Sequence, residues 1–261
     1  MRFPTIGNFD RKHRRISRRL LLTALCLGGI LLGASPAEDA GFVSLFNGRD
    51  LTGWVVPQND GGHWKVVEGV IDYDARSESK GSKNLVSREE YQDFVLKLDW
   101  RITATPWINK NIPYILPDGS HARGVDGKEL TLALPDSDSG VYLRDLKTGK
   151  SQVNIWCWPI GSGEVYGYRE DPEQPPEIRA GVTPKHQADR SVGEWNTFVI
   201  TLKGDRLTVV LNDVTVIDSA RLPGIPPSGP IAFQHHGDFR DGKYVGNPSL
   251  VQFRNISIKK L

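Results

Sequence analysis

Cysteine is nearly missing from this chain. The 261 residues hold two, Cys26 and Cys157. Cys26 falls inside an N-terminal apolar run, which leaves Cys157 alone in the remainder, and one thiol excludes an intrachain disulfide. The fold must therefore rest on its core. Several catalytic signatures are missing as well: the Gly-x-Ser-x-Gly elbow, the Walker loop, His-Glu-x-x-His and a Cys-x-x-Cys pair. The Glu-x-Asp-x-Glu and Glu-x-Asp-x-x-Glu strand motifs of many β-sandwich glycosidases are also absent. Glycoside cleavage by an ordinary carboxylate pair thus lacks its usual marker. Beyond the N-terminus no segment sustains a 3.6-residue apolar repeat, which excludes a helical bundle.

A large charge of one sign is lacking too. The whole chain carries 33 Lys and Arg against 31 Asp and Glu. Residues 1–37 hold seven of the basic residues and one of the acidic ones, leaving 26 basic against 30 acidic and a formal charge of −4. The basicity belongs to the N-terminus, and no nucleic-acid footprint or polybasic membrane patch remains. Residues 11–19 are densely basic, residues 20–34 are apolar or small, and Ala34-Ser35-Pro36-Ala37 offers small residues for cleavage. This order describes a secretory signal over 1–37. The apolar run is shorter than the roughly 20 residues a bilayer span needs, so no stable membrane anchor is expected after cleavage. Ser17-Arg18-Arg19-Leu20-Leu21-Leu22 has the look of a twin-arginine signal. The expectation is a periplasmic or extracellular protein.

What is present from residue 38 to 261 reads as one domain of short strands and turns. Phe42–Phe46 runs into the turn dipeptide Asn47-Gly48. Trp64–Glu68, Gly69 and Val70–Tyr73 read as a hairpin with glycine supplying positive φ. Phe94, Leu96, Leu98 and Trp100 alternate with Val95, Lys97, Asp99 and Arg101 at the period of a half-buried strand. Val141–Arg144 and Gln152–Trp158 are two further strands. Trp195–Leu202, Arg206–Leu211 and Val214–Ile217 form a meander with tight turns, and Ile231–Phe233 and Val251–Ile258 complete the set. Many short strands with regular turn signals predict an all-β sandwich or barrel. Residues 104–137 and 170–190, rich in proline, read as long loops at the mouth of a site. Trp54, Trp64, Trp100 and Trp195 are expected in the core.

Three groups of residues are candidates for chemistry. Gln234-His235-His236-Gly237 follows the Ile231–Phe233 strand, and alternation places Gln234 and His236 on one face with His235 on the other. Imidazole serves as acid, base or metal ligand, so both histidines are catalytic candidates. Glu164, Tyr166 and Tyr168 alternate after Gly161-Ser162-Gly163 and would offer a carboxylate beside aromatic platforms, a combination suited to a polyol. An edge hairpin with ordinary tyrosines accounts equally well for that spacing. Tyr142, Arg144, Gln152, Asn154 and Trp156 form a third alternating group.

Several segments together carry a resemblance: Phe42 to Trp54 (FVSLFNGRDLTGW), Trp64 to Ile71, Ser139-Gly140-Val141-Tyr142-Leu143-Arg144, Gly193-Glu194-Trp195-Asn196, Gly229 to Gly237 and Val251 to Ile258. In order, over residues 41–261, they resemble the DUF1080 family, the 3-keto-disaccharide hydrolase domain. The resemblance implies a concanavalin-like jelly roll, a β-sandwich of two antiparallel sheets with one concave sugar-facing surface. It also implies action on glycosides oxidised to a ketone at C3. Such a ketone acidifies the C2 proton, so that a base removes it and the C1 oxygen leaves, after which water adds. That route needs one base, one acid and a group to hold the enolate oxygen, for which one divalent metal ion is a candidate cofactor. Where many relatives read Gln-Asp-His-Gly, this chain has Gln234-His235-His236-Gly237. Where many carry Glu-x-Gln-x-x-Asp, it has Gln152-Val153-Asn154-Ile155-Trp156-Cys157.

The resulting expectation is an exported enzyme that cleaves or hydrates 3-keto-glycosides. His236, Glu164 and His235 are its catalytic candidates. Arg144, Tyr142, Gln152, Asn154, Trp156, Tyr166, Tyr168 and Gln234 are expected to bind a small-molecule or oligosaccharide substrate. A non-catalytic carbohydrate-binding module of the same fold is the alternative, favoured by the missing acids.

Overall fold

The computed structural model describes residues 40–261. The expected signal, residues 1–37, lies outside the described residues. Among those described, no helix is long and apolar enough to cross a membrane. The chain is all-β and folds as a sandwich of two antiparallel sheets.

The larger sheet has eight strands: β1 (Val43–Ser44), β3 (Lys65–Val67), β4 (Val70–Asp74), β6 (Phe94–Ile102), β11 (Asn196–Lys203), β12 (Arg206–Leu211), β13 (Val214–Arg221) and β17 (Leu250–Lys260). Their order is β13-β12-β11-β6-β17-β4-β3, with β1 also pairing β17. The smaller sheet runs β10 (Gln152–Trp156), β9 (Asp138–Leu143), β14 (Gly229–Phe233), β5 (Leu85–Tyr91) and β2 (Trp54–Val55).

Alternation explains which residues fill the space between the sheets. Along β6, Phe94, Leu96, Leu98, Trp100 and Ile102 are all buried and their neighbours are half-exposed. Along β17 the buried set is Val251, Phe253, Ile256 and Ile258, one residue out of step after Phe253. A bulge between Arg254 and Ser257, with Asn255 at φ 51°, absorbs the extra residue and keeps both halves of the strand facing inward. From the smaller sheet come Val141, Leu143, Val153, Ile155, Ile231 and Phe233. Phe233 stacks on Phe253 at 3.9 Å and on Trp54 at 4.8 Å, so one aromatic column joins the two sheets. The β3–β4 hairpin turns through Glu68 at φ 49° and Gly69 at φ 78°, the paired left-handed geometry of a two-residue turn.

Four sequence expectations are corrected. Residues 104–137 are no plain loop: β7 (Trp107–Pro113) and β8 (Thr131–Asp136) pair as a hairpin arm, extended by bridges at Ile115–His121 and Arg123–Glu129. Both faces of this arm are largely exposed, so no apolar alternation marks it in the sequence. Residues 164–168 are not a strand. Val165 begins a short helix, α1 (Tyr166–Arg169), in which Gly167 packs so closely on Lys150 that a Cβ would lie 2.5 Å from the Lys150 Cα. Within 170–190 sits α2 (Pro176–Gly181), opened by a proline at its first turn, where no N–H is needed. Trp195 is outside the core and lies beneath the guanidinium groups of Arg254 and Arg101, 4.0 and 4.6 Å from its ring.

Because the Phe233 ring bridges both sheets, Phe233→Ala is expected to destabilise the domain by about 3–5 kcal/mol. Urea unfolding followed by intrinsic fluorescence measures this, and a loss below about 1 kcal/mol would contradict the placement of the column.

Candidate active site

The outward face of the smaller sheet is a grid fixed by register. Tyr142 pairs with Gln152 on one side and Ala232 on the other, Gly140 with Asn154, and Asp138 with Trp156. The Gln234 N–H donates to the Gly140 carbonyl, and His236 follows opposite Asp138. Inward-facing Val141, Leu143, Val153, Ile155, Ile231 and Phe233 hold these strands against the core, so the alternate residues must face out. Gly140 is a hollow in this floor. A Cβ there would lie 2.2 Å from the Gln152 Nε2, so the missing side chain is what admits the Gln152 amide.

Hydrogen bonds link the floor. Gln152 Nε2 donates to the Gln234 Oε1 and, at 3.3 Å, to the Ser139 carbonyl. Gln234 Nε2 donates to the Tyr142 hydroxyl at 3.2 Å. Burial raises the pKa of that hydroxyl above its ordinary value and keeps it a donor.

At the far end of the grid, His236 Nε2 stands 4.0 Å from Asp138 Oδ2. His236 Nδ1 lies 2.8 Å from the Asn247 carbonyl, which fixes the proton on Nδ1 and leaves the Nε2 lone pair facing Asp138 in the neutral ring. Ser249 clamps the pair: its Oγ accepts from the His236 N–H at 2.6 Å and donates to the Asp138 carbonyl at 2.6 Å. The Asp138 carboxyl is only 14% exposed, and its Oδ1 is buried without a hydrogen-bond partner. Burial pushes its pKa up to about 7, opposed by His236 and reinforced by the charge of Asp136. A carboxyl that keeps its proton near neutrality stands opposite an imidazole lone pair. This is an acid facing a base.

Aromatic rings border that end. Trp156 and Trp158 stack at 4.0 Å and 6°, and Tyr166 meets Trp156 edge-on at 6.4 Å. Trp156 is buried, Trp158 is half-buried, and Tyr166 is 44% exposed. Trp158 Nε1 donates to Asp136 Oδ2 at 3.0 Å.

His236, Gln234, Tyr142, Gln152, Trp156 and Tyr166 are therefore brought together, with Asn154 buried beside them beneath the Glu164 backbone, to whose carbonyl its N–H donates. Four other candidates stand elsewhere. Glu164 is fully buried in an ion network: Arg169 donates to it, Arg169 also meets Glu170 and His121, and His121 reaches Glu129 at 3.0 Å. Burial raises the pKa of Glu164 to about 7, but no surface of it is open to substrate. Arg144 has φ 61°, which swings it off the outward face. Its guanidinium ties turns together, donating to the Gly204 carbonyl at 2.9 Å, the Asp93 carboxylate at 2.9 Å and the Gln92 carbonyl. Tyr168, on the opposite side of α1 from Tyr166, is buried and donates to the Pro223 carbonyl at 3.2 Å. His235 points to the other side, where Nδ1 lies 2.6 Å from the Tyr73 hydroxyl and burial lowers its pKa to about 4. Cys157 is no nucleophile, since burial pushes its thiol up to about 12.

Asp138, Asp136 and Trp158 were not singled out from sequence. Asp138 carried a legible signal, because it alternates with Gly140 and Tyr142. Among the described residues no three His, Cys, Asp or Glu side chains are arranged to hold a metal ion. At the grid only Asp138 and His236 converge as ionisable donors, fewer than the three or more side chains a protein-held ion takes. This donor set does not fit a divalent ion.

A β-sandwich whose polar outer face presents an acid, a base and aromatic walls is a carbohydrate-active, glycosyl-hydrolase-like fold. The chain belongs to the 3-keto-alpha-glucoside-1,2-lyase-like domain family, whose model matches residues 41–259. Among solved structures it is similar to two provisionally named glycosyl hydrolases of Parabacteroides distasonis ATCC 8503. One aligns over 85% of this chain and 84% of its own at 19% identity and TM-score 0.52. The other aligns over 88% of this chain and 98% of its own at 21% identity and TM-score 0.52. At these identities the likeness is one of fold. No curated protein sequence matches the chain.

The Asp138 environment sets a pH dependence of stability. Its folded-state pKa lies above the unfolded value of 3.8, so the folded chain keeps a proton that the unfolded chain loses between about pH 4 and pH 7. That contribution is full below pH 4 and is lost as pH rises through 7. Asp138→Asn removes the titration, so the variant should gain on the wild type as pH rises from 4 to 8, by up to about 4 kcal/mol. Urea melts at the two pH values measure the difference, and a variant that gains nothing would show that the carboxyl ionises normally.

Proposed function

We propose that this protein is an exported lyase or hydratase acting on 3-keto-glycosides, with Asp138 and His236 as its acid and base. The observation that carries the reading is the facing pair itself: the Nε2 of an imidazole anchored through Nδ1, 4.0 Å from a carboxyl that burial makes harder to ionise.

The chemistry follows from the ketone. A carbonyl at C3 makes the C2–H acidic. His236 Nε2 takes that proton, and the electron pair of the C2–H bond forms the C1–C2 double bond as the C1–O bond breaks. Asp138 supplies a proton to the departing glycosidic oxygen. Negative charge developing on the C3 oxygen is held by the Tyr142 hydroxyl and the remaining amide N–H of Gln234, whose side chain is oriented by Gln152. Addition of water across C1–C2 reverses the proton positions: Asp138, now ionised, activates the water and protonated His236 returns a proton to C2. Trp158 and Tyr166 offer ring faces to the C–H surface of the sugar.

A non-catalytic sugar-binding module of the same fold would also use the aromatic rings. It would gain nothing from a buried carboxyl set opposite an imidazole, whose desolvation costs stability, and this favours the enzyme.

Incubation of the purified protein with a 3-keto-glucoside, followed by NMR, tests the proposal. Loss of the free aglycone signal to background in His236→Ala, and a fall of at least about 100-fold in Asp138→Asn, are expected for an acid–base pair. In deuterated water the C2 proton should exchange in the wild type and not in His236→Ala. Saturable binding of several 3-keto-glycosides with no turnover would sink the enzymatic reading and leave a binding module.

A further inference from the structure

The carboxylate next along the chain from the acid, Asp136, does no chemistry in this scheme, yet it is fully buried and every bond it makes is directed. Its Oδ2 accepts from Trp158 Nε1 at 3.0 Å and from Asn109 Nδ2, on the β7–β8 arm, at 2.9 Å. Its Oδ1 accepts from the Ser137 N–H at 3.0 Å. Asp136 is thus the point where the arm, the aromatic wall and the strand bearing Asp138 meet. The indole it grips is half-buried, covered on one face by Trp156. A tryptophan held by its N–H has its ring plane fixed, whereas a stacked ring without that bond can slide over its neighbour.

We propose that Asp136 is a positioning residue for the sugar site, locking the Trp158 ring as a stacking platform, and that Asn109 makes the β7–β8 arm part of that lock. The proposal rests on the reading that this face binds a 3-keto-sugar. Burying a carboxylate costs several kcal/mol unless its oxygens are bonded. Here three donors are spent on it, two of them side chains from outside its own strand. Replacing it by a neutral core residue would suffice if Trp158 only filled space.

Asp136 has a second effect that a structural buttress would lack. Its charge faces Asp138 and helps that carboxyl keep its proton, against the opposing pull of His236. The other groups facing Asp138 are the Asn247 side chain, Tyr142, Tyr166 from α1 and Cys157 beyond β10. One buried charge therefore couples ring orientation to acid strength, and the two effects are separable by choice of substitution.

Affinity for methyl 3-keto-glucoside, read by tryptophan fluorescence, and kcat and KM against pH test this in the full protein. Asp136→Ala should weaken binding by about five- to tenfold, the value of one aromatic contact. Asp136→Asn keeps an oxygen for Trp158 and Asn109, so it should restore affinity to within about twofold, while the alkaline limb of the pH profile, where Asp138 loses its proton, moves down. Trp158→Phe should weaken binding as Asp136→Ala does, and Asp136→Ala should add nothing in that background, as expected of residues acting through one contact. The Trp158 indole proton, followed by ¹H–¹⁵N NMR, should exchange slowly in the wild type and Asp136→Asn and fast in Asp136→Ala; this readout needs no ligand and also shows whether the variant is folded. Asn109→Ala should give a smaller loss of affinity in the same direction. Wild-type affinity in Asp136→Ala, or losses that add in the double variant, would overturn the proposal and leave the acid–base reading standing. Binding that follows this pattern without turnover would support the lock while removing the enzymatic reading. No sugar binding by the wild type would overturn both.

Discussion

The period of two along β9 is the constraint on which this site depends. Asp138, Gly140 and Tyr142 face outward because Val141 and Leu143 are drawn into the core, and β10 and β14 are held in register on either side. A slip of one residue would exchange the faces, sending the Asp138 carboxyl inward and presenting Val141 on the outer face. The aromatic column of Trp54, Phe233 and Phe253 is therefore a functional element at one remove. By fixing which side of the smaller sheet is apolar, it decides which side carries the chemistry.

A flat sheet face would leave that chemistry in water. The 161–182 segment and the β7–β8 arm prevent this from two sides. Gly163 and Glu164 pair with Asn154 at the edge of β10, α1 then folds back to place Tyr166 against Trp156, and the arm brings Asn109 onto Asp136. The Glu164–Arg169–Glu170–His121–Glu129 network ties α1 to the arm, running from a buried Glu164–Arg169 pair out to Glu129 at the surface. Breaking the buried Glu164–Arg169 pair would strand a charge inside the protein, so the pair fixes where α1 sits. The acidity of Asp138 follows from this cover, because desolvation is the largest influence upon it.

The elements that could be read from sequence are those whose periodicity survives burial on one face only. β6, β11 and β12 alternate cleanly, and they, β13 and the bulged β17 are found where the pattern puts them. The β7–β8 arm is exposed on both faces, so alternation had nothing to mark. The stretch from Glu164 to Tyr168 alternates by composition and yet turns helical, because Arg169 must fold back onto the buried Glu164 and Gly167 lies against the Lys150 backbone. Arg144 follows β9 in phase with Tyr142, and a left-handed backbone removes it from the face. In each case a partner distant in sequence overrides a local pattern.

The sequence alone determined the all-β class, the strand alternation that sorts core from surface, and membership of the family through motifs spread from Phe42 to Ile258. It also determined that Gln234 and His236 would share a face, since adjacent residues on a strand point to opposite sides. The tertiary structure decided that the Asp138 carboxyl stands at the outer face of the smaller sheet and that the Glu164 carboxyl does not. Both are carboxylates near the same strands and burial raises both. One faces an imidazole at a partly open surface and the other is sealed against a guanidinium, and that difference is made by chain segments far away in sequence.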